Sequence, residues 1–192
     1  VLLDHHDAFI SYARDDNVLC DDVVHEFREL LKARFEAEMR RRREVPTGRQ
    51  ADIFMDRYGL PANGSLTLEL ERAIDQTVFL FIFVGQSYPR SIWCSLELRA
   101  FVQKFQGQRA AALLRTFVIV LERSALHQSW GEALEKPERP IYEEFFDEVT
   151  GGTIPFVLEG PDGRAIQSPR FTRRLRKIVD TMANRAMALL AV

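Results

Sequence analysis

The stretch Val78-Phe79-Leu80-Phe81-Ile82-Phe83-Val84 is the most apolar run in the chain. Its apolar residues do not alternate with polar ones, which is typical of a strand buried on both faces of a parallel sheet. Gly85-Gln86-Ser87 interrupts the run, and a helix is predicted to begin near Ser91. The run therefore predicts the central strand of an α/β domain.

The rest of the chain alternates between short apolar runs and longer amphipathic ones. Further strands are predicted at 7–12, 51–55, 116–121 and 154–158. Helices are predicted over 18–43, after Ser65, after Ser91 and after Ser168-Pro169, with a short one around 142–149. Pro155 favours an edge position for the last strand. This order predicts a flavodoxin-like three-layer α/β fold, in which a five-stranded parallel sheet carries helices on both faces.

Composition limits the possible partners. A chain of 192 residues with a net charge of -2 is typical of one globular domain without a general attraction to nucleic acid or anionic membranes. Cys20 and Cys94 are too few for a disulfide framework. No apolar run is long enough to span a membrane. We expect a single cytoplasmic domain over 1–192 that belongs to a longer protein.

One predicted helix carries an aromatic ring and a carboxylate one turn apart. Trp93 and Glu97 are an i, i+4 pair, about 100° round the helix from its apolar face. That face comprises Cys94, Leu98, Phe101, Val102 and Phe105. The pair lies just past the carboxyl end of the central strand, where open α/β sheets bind ligands. A glutamate beside an apolar face is most often only a rim residue, so the pair alone does not define a function.

Several common chemistries have no motif in this chain. It contains no G-x-G-x-x-G, no P-loop, no H-E-x-x-H and no G-x-S-x-G sequence. Asp4-His5-His6-Asp7 has the residue types of a metal site, but adjacent histidines in an extended segment point in opposite directions. We therefore predict no metal site and no bound cofactor.

A response-regulator receiver domain is one alternative. Asp15-Asp16, Asp56, Ser87 and Lys104 resemble residues of that family's phosphorylation site. The family phosphorylates an aspartate at the end of its third strand, whereas Asp56 ends the second predicted strand here. The family's lysine follows a late strand, whereas Lys104 lies within a predicted helix.

The motifs in combination resemble a Toll/interleukin-1 receptor (TIR) domain, most closely the bacterial type. Asp7-Ala8-Phe9-Ile10-Ser11-Tyr12 resembles the family's first box. Asp56, Leu60 and Gly64, before Leu66 and a helix with Ala73-Ile74, resemble the second box and its BB loop. Ser87-Tyr88 and Ser91-x-Trp93-Cys94-x-x-Glu97-Leu98 resemble the segment that holds the family's catalytic glutamate. The resemblance covers about 5–123, whereas 124–192 match only in layout. The predicted first helix and the BB loop are both longer than usual.

This resemblance implies an enzyme that cleaves NAD⁺ at the nicotinamide–ribose bond, with NAD⁺ as substrate and no cofactor. Glu97 would be the catalytic residue, and Trp93 would stack on nicotinamide or cover the pocket. The other substrate-binding residues would be Tyr12, Arg14, Leu60, Leu66 and Ser87. Family members commonly act through TIR–TIR self-association under the control of a sensor domain, and the bacterial ones serve antiviral defence. Other members are non-catalytic modules that signal through homotypic assembly, which is the alternative for this chain.

Overall fold

The computed structural model describes residues 6–20, 22–42, 50–55, 67–106, 108–127, 141–161 and 164–190. The strands in these ranges are β1 (Ala8–Tyr12), β2 (Ile53–Met55), β3 (Phe79–Val84), β4 (Thr116–Val120), β5 (Ile141–Glu144), β6 (Val157–Glu159) and β7 (Ala165–Gln167). The α-helices are α1 (Arg14–Leu19), α2 (Val23–Arg41), α3 (Leu68–Asp75), α4 (Ile92–Gln103), α5 (Arg109–Leu113) and α6 (Pro169–Leu190). Short 3₁₀ helices span Tyr88–Arg90 and Arg123–His127.

The main sheet has five strands in the order β2-β1-β3-β4-β5, and every neighbouring pair is parallel. This is the flavodoxin-like strand order, so the predicted fold class is confirmed. β3 lies in the centre, and all of its residues are buried. Its unbroken apolar sequence fits a strand that is covered on both faces.

Helices cover both faces of this sheet. The helices α2 and α6 pack together on one face, in the apolar cluster that contains Ala8 and Ile10 of β1. Residues of α3, α4 and α5 pack on the other face, in the cluster that contains Phe9. Side chains alternate along a strand, so Ser11 lies on the same face as Phe9, beneath α4. A polar side chain of the central sheet therefore faces the helix that carries Glu97.

The prediction for the fifth strand was wrong. β5 is formed by Ile141–Glu144, where a short helix was expected. The expected strand at 154–158 instead contributes to an antiparallel hairpin, in which β6 pairs with β7 outside the main sheet. Phe145 and Phe146 explain the difference, since they are buried in the two clusters on opposite faces of the sheet. Consecutive side chains reach opposite faces only from an extended chain.

The single first helix that was predicted over 18–43 is divided into two helices in the structure. Asp22 has a left-handed backbone with φ 55°, which separates α1 from α2. The side chain of Asn17 joins the two, because its Oδ1 accepts a hydrogen bond from the Val24 N–H (3.0 Å) and its Nδ2 donates to Asp22 (2.9 Å). The apolar stripe continues only along α2, whereas Val18 and Leu19 of α1 are exposed. Among the described residues, no helix is long and apolar enough to cross a membrane.

Candidate functional site

A cleft of about 570 Å³ opens at the carboxyl ends of β1 and β3. In this strand order the chain leaves β1 in one direction and returns to β3 in the other, which creates the crevice that flavodoxin-like folds use for ligands. The cleft is lined by Ile10, Tyr12, Ala13, Arg14, Asp15, Ser87, Arg90, Ser91, Trp93 and Glu97. Its walls therefore come from the end of β1, the start of α1, the turn after β3 and the start of α4.

Glu97 is the buried carboxylate of this cleft, with 6% of its surface exposed. Its Oε2 accepts a hydrogen bond of 2.5 Å from the Ser11 hydroxyl. The Tyr88 hydroxyl lies 3.1 Å from the Ser11 oxygen. Since the single hydroxyl proton of Ser11 is directed to Glu97, the Tyr88 hydroxyl is the donor in this second bond. Two buried hydroxyl groups thus orient the carboxylate from the side of the sheet.

Two ionisable side chains that interact with Glu97, those of Tyr88 and Cys94, stay neutral. Burial, and next the nearby Cys94, raise the pKa of the Tyr88 hydroxyl well above its ordinary value, so it remains a donor. Burial, and next the charge of Glu97, raise the pKa of the Cys94 thiol to about 12. A thiol with this pKa is not a nucleophile at neutral pH. Of Glu97, Cys94 and Tyr88, only the glutamate is therefore suited to stabilise a positive charge.

The helix that carries Glu97 is fixed at its start by a side-chain cap. The Oγ atom of Ser91 accepts a hydrogen bond from the Cys94 N–H (3.3 Å), which satisfies one of the unpaired donors of the first turn of α4. From this cap the helix places Trp93 half-buried at the cleft wall and Glu97 one turn deeper. Cys94 and Leu98 anchor the same helix in the apolar cluster below.

The turn after β3 is held by a second buried carboxylate, that of Asp16. This side chain is 1% exposed and accepts hydrogen bonds from the backbone N–H groups of Ser87 (2.7 Å), Tyr88 (2.9 Å) and Gly85 (3.2 Å). Asp16 is not among the residues predicted to bind NAD⁺. Gly85 is required for this contact, since an added Cβ would lie 2.5 Å from Cγ of Asp16.

The structure brings most of the predicted site residues to this cleft. Tyr12, Arg14, Ser87, Trp93 and Glu97 all line it. Leu60 and Leu66 lie outside the described residues, as does the rest of the predicted BB loop. The roles assigned to these side chains remain predictions.

Arg90 is a lining residue that the sequence analysis missed. It ends the 3₁₀ helix just before the cap of α4, and its guanidinium group donates to the backbone oxygen of Gln86 (3.2 Å from Nη2). Within the described residues, neither Arg90 nor Arg14 forms an ion pair with a carboxylate. Two exposed guanidinium groups at the cleft therefore remain available for an anionic ligand.

The receiver-domain alternative requires an aspartate at the end of the third strand, and the structure does not place one there. β3 is followed by Gly85-Gln86-Ser87 and not by an aspartate. Lys104 lies at the end of α4, where its ammonium group donates to the backbone oxygens of Asp75 (3.1 Å) and Thr77. It therefore caps the end of α3 and lines no phosphorylation site. Asp56 lies outside the described residues.

A structural likeness is found among known proteins, whereas family models and curated sequences give no match. No protein-family model matches the chain, and no curated protein matches it. The chain is similar to the TIR domains in a structure of the activated Roq1 resistosome directly recognizing the pathogen effector XopQ. The two are 20% identical with a TM-score of 0.36, and the match covers 60% of this chain and 57% of that chain.

Proposed function

We propose that this protein cleaves the nicotinamide–ribose bond of NAD⁺, as a hydrolase or a cyclase, with Glu97 as the catalytic residue. The observation that carries the proposal is the placement of Glu97, a buried and hydrogen-bonded carboxylate in the cleft between β1 and β3. It stands one helical turn after Trp93, in the segment that resembles the catalytic segment of TIR enzymes.

The chemistry of this reaction needs few protein groups. When the bond between C1 of the ribose and the nicotinamide nitrogen breaks, both electrons go to the nitrogen and nicotinamide leaves as a neutral molecule. No general acid is therefore needed on the leaving group. The positive charge passes to the ribose, which becomes oxocarbenium-like, as in glycoside hydrolysis. Water then adds to C1 and releases a proton, or an adenine nitrogen of the same molecule adds to give a cyclic product.

Glu97 supplies what this transition state requires. Its carboxylate stabilises the positive charge that develops on the ribose and accepts hydrogen bonds from ribose hydroxyls. Such an interaction is stronger in a buried site than in water because the local dielectric constant is lower. The hydrogen bond from Ser11 fixes the carboxylate before substrate binds, so little reorganisation is needed during the reaction.

The other lining residues match parts of the substrate. Trp93 is half-buried at the wall and would stack on nicotinamide. Tyr12 and Ser87 would contact ribose hydroxyls. Arg14 and Arg90 would bind the diphosphate, since guanidinium groups pair well with phosphate oxygens. The cleft volume of about 570 Å³ is ordinary for a small-molecule site.

The proposal includes activation by self-association. Val18, Leu19 and Ile92 are 73%, 68% and 69% exposed and lie on α1 and α4, the two helices that border the cleft. Contiguous exposed apolar side chains favour a protein contact, and Val18 and Leu19 are neighbours at the end of α1, the helix whose first residues line the cleft. We propose that copies of the domain assemble through this surface under the control of a sensor domain, in the cytoplasm of a bacterium defending itself against phage.

The same exposed residues favour a second candidate function. A non-catalytic TIR module that signals only through homotypic assembly would need this surface but not the buried carboxylate. Substitution of Glu97 separates the two, because it would abolish nicotinamide release by an enzyme and leave assembly by a scaffold unchanged.

The test measures nicotinamide release from NAD⁺ by concentrated protein, with and without a crowding agent. Glu97→Gln keeps the size of the side chain and removes its charge, so we expect release to fall at least 100-fold. Glu143→Gln is the matched control, because Glu143 is also buried but lies on β5, where it pairs with Lys177 away from the cleft. Equal release by wild type and a folded Glu97→Gln protein would contradict the proposal.

A further inference from the structure

Asp16 is a buried charged group for which the proposed reaction has no direct use. Its carboxylate has 1% of its surface exposed and receives the N–H groups of Gly85, Ser87 and Tyr88. Burial of a carboxylate costs free energy unless hydrogen bonds replace its water shell. Here three backbone donors of a single turn supply them. The turn joins β3 to α4, so Asp16 fixes the segment that leads into the helix of Glu97.

A continuous series of buried groups runs from Asp16 to Glu97. Asp16 holds the backbone of Tyr88 through its N–H (2.9 Å). The ring of Tyr88 is 3% exposed, and its hydroxyl contacts the Ser11 hydroxyl (3.1 Å), which in turn donates to Glu97 (2.5 Å). A tyrosine ring reaches a given point only when its backbone is fixed. The orientation of Ser11 towards Glu97 thus depends on the turn that Asp16 holds.

We propose that Asp16 is a positioning residue for Glu97, on the premise of the proposed NAD⁺ cleavage. By binding the turn Gly85–Tyr88, Asp16 places the Tyr88 hydroxyl so that it donates to Ser11 and leaves the Ser11 proton for Glu97. The carboxylate of Glu97 is then held in the orientation that faces the cleft. A shift of about 1 Å in a reacting group lowers a rate by about 100-fold, so this support contributes to turnover and not only to folding.

The experiment measures kcat and KM for NAD⁺ separately in Asp16→Asn, Tyr88→Phe and the double variant, at a temperature well below unfolding. An asparagine oxygen accepts fewer hydrogen bonds than a carboxylate, and phenylalanine removes only the hydroxyl. We expect each single variant to lower kcat about 10- to 100-fold with KM changed by less than about threefold. Because both changes interrupt the same series of contacts, the double variant should be no slower than the slower single variant.

Two matched controls test whether any similar change has this effect. Asp180→Asn alters an exposed carboxylate on α6, and Tyr142→Phe alters a half-buried tyrosine on β5, both outside the residues that line the cleft. We expect both to keep wild-type kcat. Light scattering at the assay concentration checks that the four single variants assemble to the same extent as wild type.

The outcomes separate this inference from the proposed function. If turnover depends on Glu97, a wild-type kcat in either Tyr88→Phe or Asp16→Asn would overturn the positioning role. Losses in kcat that multiply in the double variant would overturn it as well. If Asp16→Asn fails to fold, Tyr88→Phe decides alone. Wild-type protein without Glu97-dependent turnover would contradict the proposed function, and the positioning role would fall with it. Amide hydrogen exchange at Gly85, Ser87 and Tyr88 tests separately whether Asp16 holds this turn. Asp16→Asn should raise these exchange rates whether or not the protein cleaves NAD⁺.

Discussion

Gly85→Ala tests the contact between the turn after β3 and α1. A Cβ atom at position 85 would lie 2.5 Å from Cγ and 2.7 and 2.8 Å from the two carboxylate oxygens of Asp16. Ordinary van der Waals contacts begin at 3.4 Å, so the carboxylate would have to move by about 1 Å. Its hydrogen bonds to Gly85, Ser87 and Tyr88 now measure 2.7 to 3.2 Å, and such a movement takes one or two of them past the hydrogen-bonding range.

The expected cost follows from these contacts. A hydrogen bond to a charged group contributes about 1.5–3 kcal/mol, so the loss of one or two costs about 1.5–6 kcal/mol. Replacing glycine restricts the unfolded chain, which returns about 0.4–1 kcal/mol. The backbone of Gly85 is outside the left-handed region, so alanine adds no strain there. We expect the free energy of unfolding to fall by about 1–5 kcal/mol.

Urea unfolding followed by circular dichroism measures this change. Gly152→Ala is the matched control, because its Cβ would meet its nearest atom at 3.8 Å, and we expect a change within about 0.5 kcal/mol. Asp16→Ser shortens the opposing side chain, so the cost of Gly85→Ala should fall by more than half in that background. A cost below about 1 kcal/mol for Gly85→Ala would refute the reasoning.

Two further predictions concern ionisable side chains. The Cys94 thiol has a pKa of about 12, so about one in 1,000 of these thiols is ionised at pH 9. Cys94 in native protein should therefore resist alkylation by iodoacetamide at pH 9, whereas Cys94 in urea-unfolded protein should react. Equal rates of alkylation of Cys94 in the two states would contradict this. Hydrogen bonds from Arg41 and Arg42 lower the pKa of Glu38 to about 2. A lowered carboxylate pKa stabilises the fold above the ordinary value of 4.5, and this contribution is lost as the pH falls through 2. Glu38→Gln should thus be less stable than wild type at pH 6, and a difference in unfolding midpoint that does not shrink towards pH 2 would contradict the assignment.

The central part of the fold could be predicted because its signals are local. β3 is an unbroken apolar run, and α4 shows its buried face as Cys94, Leu98 and Phe101. The carboxyl edge of a parallel sheet then follows from the order of strands and helices. For this reason the sequence alone predicts that Trp93 and Glu97 lie beside the ligand crevice.

The edge of the sheet could not be predicted in the same way. β5 has four residues and carries two adjacent glutamates, so its sequence has neither a long apolar run nor a clear alternation. Tyr142 and Phe146 are four residues apart, which also fits a helix. Pairing with β4 decides the structure, and this pairing is not visible in the local sequence. The hairpin of β6 and β7 could not be predicted either. Its residues are exposed, so the strands do not carry the apolar pattern of a core strand.

The support of the site depends on contacts between distant parts of the chain. Asp16 lies between the first predicted strand and the first predicted helix, where aspartates commonly begin helices. Its partners at Gly85, Ser87 and Tyr88 come about 70 residues later, after two intervening strands. A single sequence gives no signal for such a pair. The same holds for the Ser11 hydroxyl, which meets Glu97 only once β1 lies beneath α4.

Nicotinamide release from NAD⁺ by concentrated wild-type protein, beside Glu97→Gln and Glu143→Gln, tests the central claim most directly. The proposal predicts release by wild type and Glu143→Gln, a loss of at least about 100-fold in Glu97→Gln, and free energies of unfolding for wild type and Glu97→Gln that agree within about 1 kcal/mol. Release that persists in folded Glu97→Gln, or that is absent from assembled wild-type protein, would contradict it.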